Sequence, residues 1–171
     1  MSDDFEVLHQ LGQDGAQGVV SLVEFPNSLR AAMKQFKPNK SSARIQLEAE
    51  FQARAADAGI APEVMHIDLV KKRIFMEPMR ARIVDVLDNA HPKFRNDLHD
   101  IMCTLDDIGI LHNDGNALNL MLSHDDELRI LDFGLAKEIT DKLRKKWEGE
   151  PNVRVTLHML RKSLRKYKLN V

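Results

Sequence analysis

Apolar residues recur with two different spacings along this chain of 171 residues. Up to residue 79 they form short runs separated by glycine or polar turns, a pattern typical of strands. From Phe94 onward they recur every three or four positions, as on one side of a helix. The chain is therefore predicted to have an α+β fold, with an antiparallel sheet first and a mainly helical part after it.

Five short apolar runs are predicted to form an antiparallel sheet of about five strands. They lie at residues 5–11, 19–23, 31–34, 64–70 and 73–79. Lys71 and Lys72 separate the last two runs and are predicted to be the polar turn of a hairpin.

A helix is predicted between the third and fourth runs, over residues 41–58. Ser41 or Ser42 can cap its start, and Gly59 is a natural stop. One side of this helix, which is expected to point inward, carries Leu47, Phe51 and Ala55.

The helical part contains a strong apolar stripe with a spacing of 3.6 residues. The stripe consists of Phe94, Leu98, Ile101, Met102, Leu105 and Ile108. It predicts a buried central helix that ends at Gly109. A shorter amphipathic helix is predicted around Ile139, Leu143 and Trp147.

The last predicted helix begins at Pro151 and has an apolar and a basic side. The apolar side carries Val153, Leu157, Leu160, Leu164 and Tyr167, and the basic side carries Arg161, Lys162, Arg165 and Lys166. The formal net charge of the whole chain is -1, but residues 137–171 hold 11 Lys and Arg against 4 Asp and Glu. We expect the apolar side to pack under the central helix and the basic side to face solvent or an acidic partner.

Composition excludes several classes of protein. The single cysteine, Cys103, excludes an intramolecular disulfide, and its apolar helical surroundings predict a buried, inert thiol. No apolar run approaches the roughly 18 residues of a membrane span, and the acidic N-terminus does not resemble a secretory signal. We expect a soluble, cytoplasmic protein without membrane contact.

The residues with candidate chemistry fall in two groups along the chain. The first group contains Ala32 and Lys34 on a predicted strand, with Glu48 and Glu50 on the helix that follows. The second group contains His112, Asp114 and Asn119, followed by an apolar strand and Asp132-Phe133-Gly134. Asn119 follows Asp114 by five positions.

A glycine-containing segment joins the first two predicted strands. It contains Gly12, Gly15 and Gly18, and Val20 follows two residues later. Glycines allow a backbone to approach phosphates closely, and successive amides can donate hydrogen bonds to them. An ordinary hairpin turn has a similar composition, so this segment predicts a phosphate site only together with the other motifs.

In their order and spacing these residues resemble the protein-kinase superfamily over residues 5–136. The series that carries the resemblance is Lys34, Glu48, Asp114, Asn119 and Asp132-Phe133-Gly134. The resemblance implies one bilobal kinase domain over residues 1–171, with an N-lobe at 1–79 and a reduced C-lobe at 80–171. It also implies ATP and Mg²⁺ as cofactors and a serine/threonine protein kinase activity.

The resemblance assigns a catalytic role to three residues and metal binding to two. Asp114 would orient or deprotonate the acceptor hydroxyl, while Asn119 and Asp132 would hold Mg²⁺. Lys34 would contact the α- and β-phosphates and would pair with a glutamate of the helix. Glu48 is preferred over Glu50 for this pair, because Phe51 and Ala55 then fall on its inward side. His112 is expected to pack beneath the loop, without acid–base work.

The resemblance also implies an adenine and phosphate pocket in the N-lobe. Gly12, Gly15 and Gly18 would cover the phosphates, although their spacing needs a one-residue insertion relative to the kinase loop. Adenine would lie against Val20 and Ala32, with Met76 at the back of the pocket and the backbone of Glu77 and Met79 as hydrogen-bonding partners.

Within the superfamily the chain resembles the minimal type III effector kinases of enteric bacteria, the OspG/NleH group. The residues that carry this resemblance are His112-Asn113-Asp114-Gly115-Asn116-Ala117-Leu118-Asn119, the absence of an Ala-Pro-Glu motif and the basic final helix. It implies an effector with a role in virulence, acting on proteins in the host cytosol and stimulated by ubiquitin or a ubiquitin-charged conjugating enzyme.

Two alternatives remain open at this stage. A kinase of the tRNA-modification or RIO-like type would also lack a large peptide-binding subdomain, and its basic final helix would then bind RNA. A pseudokinase would bind nucleotide without turnover, and the irregular spacing of the glycine segment would be the sign of lost activity.

Overall fold

The computed structural model describes residues 4–12, 15, 17–86 and 92–169. The strands are β1 Glu6–Gln10, β2 Gly18–Glu24, β3 Arg30–Phe36, β4 Val64–Asp68, β5 Arg73–Met76, β6 Ala81–Arg82, β7 Ile110–Leu111, β8 Leu120–Leu122, β9 Leu128–Ile130 and β10 Lys137–Glu138. The helices are α1 Ser42–Asp57, α2 Ile83–Val86, α3 Pro92–Asp107, α4 Asp141–Lys146 and α5 Leu157–Arg165. Two 3₁₀ turns, Ala117–Asn119 and Phe133–Leu135, and a π-helical turn, Asn152–Thr156, are also present.

The first five strands form one antiparallel sheet in the order β1-β2-β3-β5-β4. The predicted α+β fold with a five-stranded antiparallel sheet is therefore confirmed. In the central strand, Lys34 lies opposite Val20 of β2, and Ala32 lies opposite Met76 of β5. Opposite residues, and residues two apart on one strand, share a face of a sheet. One face of the sheet thus carries Val20, Ala32, Lys34 and Met76.

Helix α1 packs on this face of the sheet. Ser41 caps its start by accepting a hydrogen bond from Arg44 N, as predicted, and Gly59 follows its end with a φ of +75°. Ile45 and Ala49 of α1 are fully buried in one cluster with Phe36, Ile74 and Met76 of the sheet. This packing holds Glu48, which is buried on the same helix, next to the sheet.

A larger apolar cluster surrounds α3. The predicted stripe residues Phe94, Leu98, Ile101, Met102 and Leu105 are at most 5% exposed. They belong to the same buried cluster as Leu157, Leu160 and Leu164 of α5. The predicted packing of the last helix against the central helix is confirmed. Each buried leucine contributes about 1.5–3 kcal/mol, so α5 is held firmly in place.

Two predictions near the end of the chain need correction. Tyr167 is not on the apolar side of α5 but is 42% exposed, because the helix ends at Arg165 and the chain turns at Lys168 with a φ of +61°. Leu169 is buried instead, and its N–H donates to Leu164 O at 3.2 Å. The basic side is also less exposed than expected, since Arg161 is half-buried.

Two further predictions need correction. Cys103 is half-buried rather than buried, because it follows Met102 on α3 and is therefore turned away from the buried stripe. Burial and nearby carboxylates raise the pKa of its thiol, which agrees with an inert side chain. Helix α4 spans only Asp141–Lys146, so Ile139 and Trp147 flank it instead of lying within it. Within the described residues, no helix is long and apolar enough to span a membrane.

Candidate active site

Lys34 lies at the centre of the candidate site and contacts two acidic residues. Its Nζ donates to Glu48 Oε1 at 2.6 Å and to Asp132 Oδ1 at 2.8 Å. The pairing of Lys34 with Glu48, rather than with Glu50, is the one expected from the sequence. Glu50 is exposed and accepts instead from Gln46 Nε2 at 2.9 Å. The contact to Asp132 spans 98 residues of sequence and joins the sheet to the second part of the chain.

The charges at the centre stabilise each other. Burial by itself would lower the pKa of Lys34, but attraction by Asp132 and Glu48 outweighs it, so that the pKa is raised. For Asp132, burial by itself would raise the pKa, but the charge and hydrogen bond of Lys34 lower it. Lys34 is therefore protonated and Asp132 is ionised at neutral pH.

Asp132 has a left-handed backbone conformation, with φ 64° and ψ 75°. Non-glycine residues rarely adopt this region, although Asp tolerates it better than most. The turn is held by its own carboxylate, which accepts from Gly134 N at 3.3 Å, and by the buried Phe133. The Phe133 ring meets the His112 ring edge-on, with 4.8 Å between the ring centroids. The segment that carries Asp132 is thereby fixed to the loop that carries Asp114.

Asp114 and Asn119 are joined directly, since Asn119 Nδ2 donates to Asp114 Oδ2 at 2.9 Å. Asn116 caps the turn between them by accepting from Leu118 N. The backbone of Asn119 accepts from Leu131 N at 2.9 Å, which places Asn119 beside the residue that precedes Asp132. The structure therefore brings the predicted residues Asp114, Asn119 and Asp132 into adjoining segments, with Lys34 bonded to Asp132.

His112 is fully buried beneath this loop. Its Nε2 lies 3.0 Å from Leu131 O, and its Nδ1 lies 3.1 Å from Asp114 O and 3.4 Å from Asp114 N. Both ring nitrogens are thus held by backbone groups of the segments that carry Asp114 and Asp132. Burial lowers the pKa of His112, in spite of opposing backbone hydrogen bonds and nearby carboxylates. These observations agree with the structural role, without acid–base work, that the sequence predicted for this histidine.

The pKa of His112 predicts that the protein loses stability in mild acid. Its folded pKa lies below the unfolded value of about 6.5, so above that pH neither state is charged and the full stability is present. As the pH falls below about 6.5, only the unfolded chain takes up the proton, and the free energy of unfolding decreases by up to about 1.4 kcal/mol per pH unit. Urea unfolding at a series of pH values measures this slope.

The matched comparison uses His112→Gln and the exposed His124→Gln. The slope between about pH 6.5 and 5.5 should disappear in the first variant and persist in the second. If His112→Gln does not fold, an NMR titration of the wild-type histidines gives the same information. A His112 ring that titrates at or above the ordinary histidine pKa would contradict the prediction.

The glycine segment is only partly described. Gly12 has a φ of +85°, and Gly15 N donates to Gly18 O at 2.9 Å. Gly18 lies at the start of β2, where a Cβ would meet Gln35 O at only 2.1 Å. Gly18 is therefore required by the close approach of β2 to β3, which the sequence did not indicate. Residues 13, 14 and 16 lie outside the described part of the chain.

The predicted adenine-contacting residues lie at the end of β5. Met76 is 6% exposed, lies opposite Ala32 and belongs to the buried cluster that includes Ile45 and Ala49 of α1. The Glu77 N–H is already bonded to Glu63 O at 2.9 Å. Among the described residues, none accepts a hydrogen bond from the Met79 N–H. The Met79 amide is thus available for a ligand.

Asn152, which no sequence pattern indicated, supports the loop that carries His112 and Asp114. It is fully buried, and its Oδ1 accepts from His112 N at 3.0 Å and from Thr156 Oγ1 at 3.1 Å. Its Nδ2 donates at 2.7 Å both to Asp106 Oδ1 and to Ile110 O. All four hydrogen-bonding positions of this side chain are used. Asn152 belongs to none of the motifs in the sequence, so the sequence contained no signal for this role.

Two further contacts join the C-terminal part of the chain to the loop. A Cβ on Gly115 would lie 2.0 Å from Met159 Cβ, so α5 can approach the loop only because residue 115 is glycine. Ser163 of α5 accepts a hydrogen bond from Ala117 N at 3.0 Å. The segment around α5 therefore determines where Asp114 and Asn119 lie.

The candidate metal ligands fit Mg²⁺ by their chemistry. Asn119 Nδ2 is bonded to Asp114, while its Oδ1 accepts no hydrogen bond from any described residue. A free amide oxygen and the ionised carboxylate of Asp132 are the oxygen ligands that Mg²⁺ prefers. Within the described residues, no group of three or more His, Cys, Asp and Glu side chains is placed to bind a metal ion, so the metal ligands proposed from the sequence are Asn119 and Asp132 alone.

Comparisons with known proteins add no assignment. No protein-family model matches the chain, and no curated protein matches it.

Proposed function

We propose that this protein is an ATP-dependent serine/threonine protein kinase of minimal size, with a protein-kinase-like bilobal fold. The observation that carries the proposal is the position of Lys34, whose ammonium bridges Glu48 and Asp132. An ion pair with only a structural role would need Lys34 and Glu48, and it would not need Asp132 from a distant part of the sequence as a third charged group. A phosphate-binding lysine held by a helix glutamate, beside a metal-binding aspartate, does need this arrangement.

The proposed reaction transfers the γ-phosphoryl group of ATP to a hydroxyl group of a protein. The hydroxyl oxygen forms a bond to the γ-phosphorus, and the bond between that phosphorus and the oxygen bridging to the β-phosphate breaks, leaving ADP. Asp114 accepts the proton of the hydroxyl, and Asn119 orients the Asp114 carboxylate through its 2.9 Å hydrogen bond. Lys34 donates to the phosphate oxygens, and Glu48 holds its ammonium in place.

Asn119 and Asp132 would hold Mg²⁺, which when bound neutralises negative charge on the phosphates. The low pKa of Asp132 keeps this carboxylate ionised and ready for a cation. The buried, neutral His112 holds the loop and takes no proton in the reaction. Adenine would lie against Val20 and Ala32, in front of Met76, and would accept a hydrogen bond from the Met79 N–H.

The choice of a protein substrate and of an activator rests on the resemblance to the minimal effector kinases. That group suggests action on host proteins and stimulation by ubiquitin or a ubiquitin-charged conjugating enzyme. Lys162 and Arg165 are exposed on α5, and Lys166 is exposed directly after it. These residues lie close to the loop that carries Asp114 and would suit an acidic partner.

The test is transfer of labelled γ-phosphate from Mg-ATP to the protein itself and to a generic protein substrate. The assay is run with and without a ubiquitin-charged conjugating enzyme, and Lys34→Ala serves as the blank. We expect wild-type transfer above the blank, increased by the conjugate. Equal transfer with and without the conjugate would support the kinase activity and contradict the proposed activator.

Absence of transfer under every condition would overturn the proposed activity. Binding of ATP without turnover would then favour a pseudokinase. Phosphorylation of RNA-associated proteins, with salt-sensitive RNA binding by α5, would instead favour the tRNA-modification or RIO-like type.

A further inference from the structure

Lys40 is a second, largely buried lysine beside the pair formed by Lys34 and Glu48. Its side chain is 17% exposed, and its Nζ lies 3.4 Å from Glu48 Oε2. Glu48 therefore contacts two ammonium groups, one through each carboxylate oxygen. Both groups lie over the Phe36 ring, with Nζ 5.1 Å from its centroid for Lys34 and 5.5 Å for Lys40. The position of Lys40 is thus fixed by charge and by packing.

Lys40 also contacts the glycine segment. Its Nζ donates to Gln17 Oε1, and the Gln17 amide lies against Gly134, where a Cβ would come within 2.5 Å of it. The contacts form a closed cycle through Lys34, Asp132, Gly134, Gln17, Lys40 and Glu48. Lys40 thereby belongs to the same group of side chains as the candidate phosphate-binding lysine.

The charges of this group decide whether an anion can bind there. The group contains three carboxylates, those of Glu48, Asp114 and Asp132. If Lys34 were the only positive charge, the group would have a net charge of two negative charges. Lys40 reduces the excess to one negative charge, which a single divalent cation turns into a positive charge. The ion pair between Lys34 and Glu48 does not need Lys40. A site for a triphosphate does need the positive charge that Lys40 adds.

We propose that Lys40 is a second phosphate-binding residue, whose ammonium takes a nucleotide phosphate oxygen in place of the Gln17 amide oxygen. The ammonium is positively charged, so Coulomb attraction favours a negatively charged phosphate oxygen over the neutral amide oxygen and thus favours the exchange. The inference rests on the proposed function, because it takes the ligand to be ATP.

The experiment measures the dissociation constants of ATP and adenosine, with Mg²⁺ present, for the full-length wild-type chain and three variants. Lys40→Met removes the charge and keeps the length of the side chain. Lys40→Arg keeps the charge, and Lys37→Met is the matched control on an exposed lysine three residues away. Thermal unfolding of each variant is recorded alongside to establish that it is folded.

We expect Lys40→Met to weaken ATP binding about tenfold, the size of one charged hydrogen bond, without changing adenosine binding. Lys40→Arg should restore most of the ATP affinity, and Lys37→Met should bind like wild type. ATP binding by Lys40→Met within twofold of wild type would overturn the inference. An equal loss of affinity for adenosine and for ATP would also overturn the inference, because the effect would then come from the shape of the pocket. A wild-type chain that binds neither compound would overturn the proposed function, and the inference with it.

Discussion

Replacing Asp132 by Asn should reduce phosphoryl transfer about a thousandfold or more, which corresponds to about 4 kcal/mol of transition-state stabilisation. The substitution preserves the size of the side chain, and Asn tolerates the left-handed backbone that Asp132 adopts. What it removes is the charge that would bind Mg²⁺ and that attracts the Lys34 ammonium at 2.8 Å. Rates of labelled γ-phosphate transfer at saturating ATP measure the effect.

The fold should survive this substitution. The side chain of Asp132 is 37% exposed, so loss of its ion pair is screened by solvent and should reduce the free energy of unfolding by only about 1 kcal/mol. Asp125→Asn, in the exposed turn between β8 and β9, is the matched control and should leave transfer unchanged. Transfer by Asp132→Asn within tenfold of wild type would show that this carboxylate does not hold the metal.

Replacing Asn152 by Leu should lower the free energy of unfolding by about 3–5 kcal/mol. Leu has the same number and branching of side-chain heavy atoms, but it cannot make the four hydrogen bonds that this fully buried side chain makes. The Asp106 carboxylate, which is itself 4% exposed, loses a donor, and His112 N loses its acceptor. Urea unfolding at neutral pH measures the loss, and Asn39→Leu in an exposed turn is the control.

The pH dependence of this loss identifies its cause. Burial already raises the pKa of Asp106, and hydrogen bonds from Asn152 and Val153 oppose the shift. Without the Asn152 amide, the folded pKa of Asp106 should rise further above its unfolded value. A carboxyl pKa that is raised in the folded state lowers the free energy of unfolding at pH values above that pKa. This loss disappears as the pH falls through the folded-state pKa. The difference between variant and wild type should therefore shrink in acid. A loss that is independent of pH would indicate a packing defect instead.

The sequence alone was sufficient for the sheet and the main helices, whereas the pairing of Lys34 with a helix glutamate was implied by the resemblance to kinases, with Glu48 preferred over Glu50. Alternation and helical spacing are local properties, and they report which side of an element is buried. Glu48 was distinguished from Glu50 because two residues of one helix, two positions apart, lie on different sides of it. The end of the chain was less predictable, since Tyr167 fits the helical spacing of α5 but lies beyond the residue at which the helix ends.

The environment of the site depends on contacts that no local pattern reports. Lys40 reaches Glu48 because the loop after β3 turns back towards α1, and Asn152 reaches His112 across 40 residues of sequence. Gly115 is required only because Met159 packs against it. The sequence determined the elements and the identity of the candidate site residues, since both follow from local spacing and ordered motifs. The tertiary structure alone decided which charges surround Lys34 and what supports Asp114, because these depend on where distant segments meet.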